Sequence, residues 1–212
     1  MAKIIPTILT ANEDDYHDKL LLAEHVSDLI QVDIIDGMFA DNTTVGVNVI
    51  KKYQSASMLE IQLMVLYPQN YIDELINVEH VSRIIVPFEA HGDVANAIYH
   101  IRNHNRQVGL SINPQTPPKA ALHFLDDIDF LLLLAVEPGF SGQKFKMETL
   151  DKVREVKKIA PGLAVEIDGG ITFENAREVA ASGADFLAVN SALFGAGDFY
   201  LAFEKLSKIV QN

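Results

Sequence analysis

The sequence has no cysteine and no tryptophan. Without thiols there can be no disulfide framework, thiolate metal site or Cys nucleophile, so any chemistry must rest on Asp, Glu, His, Lys, Ser or Thr. Positive charge is also scarce: 17 Lys and Arg stand against 29 Asp and Glu, a net charge of −12. A field of that sign repels phosphate backbones and anionic membrane surfaces, which excludes nucleic acid and membrane as first-choice partners. Aromatic residues are spread at core spacing and form no stacking platform for bases. No apolar run approaches the ~18 residues of a membrane span. The opening Met1-Ala2-Lys3-Ile4-Ile5-Pro6 is too short an apolar run for a signal peptide, so a cytoplasmic protein is expected. Linkers and low-complexity tracts are missing as well, and residues 1–212 read as one domain.

What is present is alternation. Short, near-continuously apolar runs recur at 3–9, 29–34, 59–64, 83–86, 107–112, 130–135, 164–167 and 186–189, as strands buried on both faces should. Between and after them lie stretches of helical spacing at 13–24, 45–53, 68–76, 93–103, 118–125, 147–159, 173–182 and 199–210. Asn12, Thr172 and Asp198 stand where helix caps are needed, and Glu13, Asp14 and Asp15 meet the positive end of the first helix dipole. Eight strand–helix units in so short a chain predict an α/β fold that closes economically, a (β/α)8 TIM barrel. An open doubly wound sheet is the alternative. Against it, Pro6-Thr7-Ile8-Leu9-Thr10 stands after the first strand where a glycine fingerprint would be needed.

Barrel chemistry sits at the C-terminal strand ends. Strand two carries Gln31 and Asp33 on one side and Val32 and Ile34 on the other, strand three carries Gln62, and strand seven ends in Asp168. Taken singly, either Asp reads more simply as a helix cap or a barrel salt bridge. Together, from strands on roughly opposite sides of the ring, Asp33 and Asp168 could flank a carbon next to a carbonyl, remove its proton on one face and return one on the other. Asp36-Gly37 reads as a turn. Glycine-bearing stretches follow strands six (Pro138-Gly139-Phe140-Ser141-Gly142), seven (Asp168-Gly169-Gly170) and eight (Asn190-Ser191-Ala192-Leu193-Phe194-Gly195). Each alone is a plain tight turn; on neighbouring strand ends they point to a phosphorylated substrate held by backbone N–H groups, which act locally where net charge does not.

These residues, with Asn113-Pro114-Gln115-Thr116-Pro117, the ten residues from Val136 to Phe145 and Glu166-Ile167-Asp168-Gly169-Gly170-Ile171, resemble the ribulose-phosphate 3-epimerase family from the first strand to the last. The resemblance implies a (β/α)8 isomerase that inverts C3 of a ketopentose or ketohexose phosphate through an enediolate, often as a homo-oligomer. It makes Asp33 and Asp168 the catalytic acid/base pair. It assigns Thr7, Gln31, Gln62 and Met64 to substrate binding, and Gly139, Phe140, Ser141, Gly142, Gly169, Gly170, Asn190 and Ser191 to the phosphate. Family members also hold a divalent metal, commonly zinc, and the two histidines used for it are replaced here by Gln31 and Gln62.

A neutral amide oxygen is a poor ligand for zinc beside imidazole, so no tightly bound metal is expected. In its place the two amides could form an oxyanion hole, with the carboxyls sharing one proton. The seven histidines, His100 and His104 among them, fall on helices or loops and offer no substitute. Loops after strands two and four also depart from the family, at Met38-Phe39-Ala40-Asp41-Asn42 and Pro87-Phe88-Glu89. Decarboxylase and aldolase readings fail for want of a lysine between the acids or at a strand end. The alternative of a different class is a catalytically impaired sugar-phosphate-binding or regulatory protein on the same barrel.

Overall fold

The computed structural model describes residues 1–211. Eight strands, β1 (Lys3–Ile8), β2 (Leu29–Ile35), β3 (Met58–Met64), β4 (Val81–Pro87), β5 (Gln107–Ile112), β6 (Phe130–Leu134), β7 (Ala164–Asp168) and β8 (Phe186–Val189), form a closed barrel in sequence order. Every neighbouring pair is parallel, including β1 with β8. Closure leaves no unpaired edge, so runs rich in Ile, Val and Leu can be buried on both faces. Helices α1 (Glu13–Glu24), α2 (Val47–Lys52), α3 (Gln69–Leu75), α4 (Val94–Asn103), α5 (Thr149–Ile159), α6 (Ala176–Ala181), α7 (Ser191–Phe194) and α8 (Phe199–Gln211) complete the fold. No helix among the described residues is long and apolar enough to cross a membrane.

Strand alternation divides the interior in two. Outward-facing residues such as Val32, Ile34, Ile61 and Ile167 belong to the large core between sheet and helices. Inside the barrel, Ile85, Phe130, Leu132 and Leu134 form a small separate apolar cluster. Gly109 makes room for it, because a Cβ there would lie 2.5 Å from the Phe130 ring. Polar side chains share the lumen: Thr7, Gln31, Asp33, Glu60, Gln62 and Glu166 are all buried. At its N-terminal end Arg83 donates to Glu60 at 3.2 Å, with its guanidinium 5.2 and 4.9 Å from the Phe130 and Phe186 ring centres. The cation meets both a buried carboxylate and two π faces.

Local chemistry explains the helix boundaries. Asn12 Oδ1 accepts from the Asp15 amide and Asp198 Oδ1 from the Leu201 amide, so both caps form as read from sequence. The helix expected from 173 begins only at Ala176. Thr172 Oγ1 accepts from the Glu174 amide and Asn175 Oδ1 from the Thr172 amide, and this side-chain-bonded turn delays the helix. The α-helix expected at 118–125 is a 3₁₀ turn, Pro118–Phe124. Pro117 holds an extended ψ of 144° and Pro118 lacks an N–H, which leaves a short connector with few α-type bonds to make. Expectation also omitted α7, a single turn directly after β8.

Candidate active site

The strands bring their C-terminal ends to one mouth, and there a narrow cleft is lined by residues from several strand ends and loops. Thr7, Asp33, Met64 and Asp168 line its floor, and the glycine loops and the start of α7 close over it. All the residues proposed for phosphate, namely Gly139, Phe140, Ser141, Gly142, Gly169, Gly170, Asn190 and Ser191, face this one cleft. Sequence reasoning missed Leu9, Val136, Pro138 and Ile171, whose apolar side chains give no chemical signal but also line it. Among the described residues no Lys, Arg or His does.

Backbone shape makes the glycines necessary. Gly139, Gly142, Gly169 and Gly170 take φ between +67° and +124°, the left-handed region. Gly170 is also hemmed in by backbone, since a Cβ there would meet Phe145 N at 2.6 Å and Phe145 Cα at 2.8 Å. Glycine at these bends leaves no side chain between the main chain and the cleft. Asn190 fixes β8 to β1 by donating from Nδ2 to the Thr7 carbonyl at 2.8 Å. Asn42 donates to the Gly139 carbonyl at 2.6 Å and ties the loop after β2 to the loop after β6. Asp36 serves the scaffold: Oδ1 accepts from the Met38 and Phe39 amides and Oδ2 from the Leu66 amide, bonds that hold its pKa below the usual value despite partial burial. Glu89, in one of the departing loops, accepts from the Asn113 amide and from the Thr116 hydroxyl and so braces the loop after β5.

Asp33 and Asp168 are separated around the ring by β1 and β8, closer than opposite walls. Register sets Asp33 beside Gln62 on β3, and Gln31 beside Glu60 one layer deeper. Gln31 Nε2 donates to Asp33 Oδ1 at 2.8 Å and lies 2.7 Å from the terminal amide atom of Gln62. That same Gln62 atom lies 3.1 Å from Asp33 Oδ1 and 3.0 Å from Asp168 Oδ2. The two carboxyl oxygens are therefore within about 6 Å of each other. Burial raises the pKa of Asp33 well above the ordinary aspartate value, and the nearby Asp168 charge raises it further. Burial likewise lifts Asp168 to about 7, against the lowering effect of its bond to Gln62.

Gln31 and Gln62 do not line the cleft. Both are fully buried behind the carboxyls and bonded to each other, so they do not form the oxyanion hole the sequence suggested. Their amides bond to one another and to the carboxyls of Asp33 and Asp168, while Gln31 Oε1 is buried without a partner. This donor set fits a tightly bound zinc ion poorly, because neutral amides at 31 and 62 are weak ligands beside imidazole. Among the described residues no group of three or more His, Cys, Asp or Glu gathers in a way that could hold a metal.

Comparison with known proteins gives a consistent result. The description of the ribulose-phosphate 3 epimerase family matches residues 3–194. Ribulose-phosphate 3-epimerase of Bacillus subtilis (strain 168) is 32% identical over 206 residues, covering 93% of this chain and 94% of its own. The Serratia marcescens protein of the same name is 34% identical over 179 residues, 81% of this chain and 85% of its own. Among solved structures, 3-hexulose-6-phosphate synthase from Salmonella typhimurium superposes with a TM-score of 0.69 at 17% identity, covering 99% of this chain and 98% of that one. Thiamine phosphate pyrophosphorylase from Pyrococcus furiosus gives 0.65 at 21% identity, covering 99% and 95%. At those identities the structural likeness speaks for the barrel alone.

Proposed function

The chain belongs to the ribulose-phosphate 3-epimerase family and is a carbohydrate epimerase; from that premise we propose that it inverts C3 of a ketose phosphate with Asp33 and Asp168 as its acid and base. The observation that carries this reading is the pair of raised-pKa carboxyls within about 6 Å at the floor of a cleft roofed by glycine loops. A hydrogen on C3 next to the C2 carbonyl is acidified by that carbonyl. One carboxylate removes it, the C–H electron pair passes into the enediolate, and the other carboxyl returns a proton on the opposite face. The reaction needs one group ionised and one protonated near neutral pH. Two buried like charges favour that state, because full ionisation puts two anions side by side.

The substrate phosphate is held by the loops after β6, β7 and β8 and the first turn of α7, through main-chain N–H groups. Thr7 and Met64 flank the sugar between this cradle and the carboxyls. A small phosphorylated sugar in the cytoplasm, not a polyanion, is the partner that the charge and the closed cleft support. No step is routed through a metal, since neutral amides stand at 31 and 62 where the family has imidazoles.

The test incubates the protein with a panel of pentulose and hexulose phosphates in D₂O and follows C3 deuterium by NMR. One member of the panel should exchange, and Asp33→Asn and Asp168→Asn should each slow that exchange by about 10³-fold. Variants that keep the parental rate would overturn the assignment. Tight sugar-phosphate binding with no exchange by the parent would favour a binding protein instead.

A further inference from the structure

We propose that Asn42 and Gln143 are positioning residues for the substrate phosphate: each holds one main-chain carbonyl of the loop after β6 away from the cleft and so aims the next N–H into it. The inference rests on the reading of that loop as part of the phosphate cradle. It concerns two side chains that lie outside the lining of the cleft.

A trans peptide unit is planar, and its C=O and N–H point in opposite directions. Tying a carbonyl on one side of the chain therefore sets the following N–H on the other. Asn42 Nδ2 donates to the Gly139 carbonyl at 2.6 Å, which sets the N–H of Phe140. Gln143 Nε2 donates to the Phe140 carbonyl at 2.8 Å, which sets the N–H of Ser141. The same Nε2 group donates to the Glu137 carbonyl at 2.7 Å. Because Pro138 has no N–H, this second bond anchors the Gln143 amide without directing another donor. Phe140 and Ser141 both line the cleft, whereas Asn42 and Gln143 do not. The two N–H groups face away from their tethers and toward the opening.

The donors so placed are unspent. Among the described residues neither the Phe140 nor the Ser141 N–H has a main-chain acceptor. Left-handed glycines at 139 (φ +124°) and 142 (φ +77°) bracket the pair. Gly139 also lets the two loops approach, since a Cβ there would lie 3.2 Å from Ala40 Cβ. Asn42 belongs to the loop after β2, whose Thr44 hydroxyl donates to the Asp33 carbonyl at 2.6 Å, so one loop runs from the strand of Asp33 to the cradle. Neutral donors bind an anion well only when they are already aimed, because every group ordered on binding costs entropy. No Lys or Arg among the described residues lines the cleft to attract a dianion from any direction, which leaves the aim of the amides to decide affinity. An untied carbonyl could also turn inward and face the phosphate oxygens.

The experiment uses the full chain labelled with ¹⁵N, and inorganic phosphate as the probe. In the parent, the amide signals of Phe140 and Ser141 should move as phosphate is added. Asn42→Leu and Gln143→Met keep the side-chain size and remove the donor. Asn42 Oδ1 also accepts from the Thr43 amide, so Gln143→Met is the cleaner of the two. Each should weaken phosphate binding about tenfold. Each should also raise KM for the ketose phosphate that is turned over by about tenfold with kcat within about threefold, since a contact made equally in the ground and transition states affects binding alone. Gln115→Met is the control: Gln115 donates at 2.6 Å to the Glu137 side chain of the same loop and ties no carbonyl. It should leave phosphate affinity within about twofold of the parent's.

Amides at 140 and 141 that stay still at saturating phosphate, donor variants that keep the parental affinity or lower kcat with KM unchanged, or a Gln115→Met loss as large as theirs would each overturn the proposal. The amide shifts need no turnover and are read on the parent even if a variant fails to fold. A parent whose 140 and 141 signals respond, with both donor variants weakened but no C3 exchange, refutes the epimerase reading and leaves the positioning role standing. Exchange without that response does the reverse.

Discussion

Replacing Asp168 with Asn should stabilise the protein while stopping its chemistry. The carboxyl of Asp168 has its pKa raised from 3.8 to about 7 in the folded chain, chiefly by burial. An acid whose folded pKa lies above its unfolded one adds no penalty below about pH 4, where both states are protonated. Between about pH 4 and 7 the unfolded chain ionises freely and the folded chain does not, so stability falls by about 1.4 kcal/mol per pH unit. Above about pH 7 the loss levels off near 4 kcal/mol. An Asn at 168 keeps the shape and a hydrogen-bonding partner for Gln62 and never ionises. Its advantage over the parent should therefore be close to nil at pH 4 and about 4 kcal/mol at pH 8, slightly more if Asp33 is relieved of its neighbour's charge. With an m-value of about 3 kcal/mol/M in urea, that is a rise of roughly 1 M in the midpoint at pH 8. Urea titrations of both proteins at pH 4, 6 and 8 read this directly. An Asp168→Asn midpoint equal to or below the parent's at pH 8, or a gap independent of pH, would show that the carboxyl is not held above its normal pKa and would remove the basis for a single shared proton.

Gly170→Ala places a Cβ 2.6 Å from Phe145 N at a φ of +67°. It should cost at least about 2 kcal/mol in thermal or urea unfolding and raise KM for the sugar phosphate more than it lowers kcat. Ionic strength gives a second check. With a net charge of −12 and no Lys or Arg lining the cleft, a dianionic substrate is repelled at long range and held by dipoles at short range. Adding salt up to about 0.2 M should leave kcat/KM steady or raise it, because salt screens the repulsion and weakens no cation–phosphate contact. A steep fall with salt would point to a basic phosphate site.

The strands were legible because a parallel barrel buries both faces of each one, so eight apolar runs at regular spacing leave few ways to close. Asp33 and Asp168 stood out as candidates because they are carboxylates near the C-terminal ends of strands rich in Val, Ile and Leu, and the bends after β6 and β7 because left-handed backbone favours glycine. Two expected helix starts came out differently: the Pro117-Pro118 pair gave a 3₁₀ turn, and side-chain bonds at 172–175 gave a polar turn, outcomes that depend on which local constraint wins. The partners of Gln31 and Gln62 were beyond reach of the sequence. Alternation could aim both amides into the lumen, but only the β2–β3 register sets Asp33 level with Gln62, and only closure through β8 and β1 brings Asp168 to the same amide. Periodicity along one strand decides which side of the sheet a residue faces. The stagger between strands, fixed when the ring closes, decides which residue from another strand it meets, and whether two glutamines bind a ligand or each other.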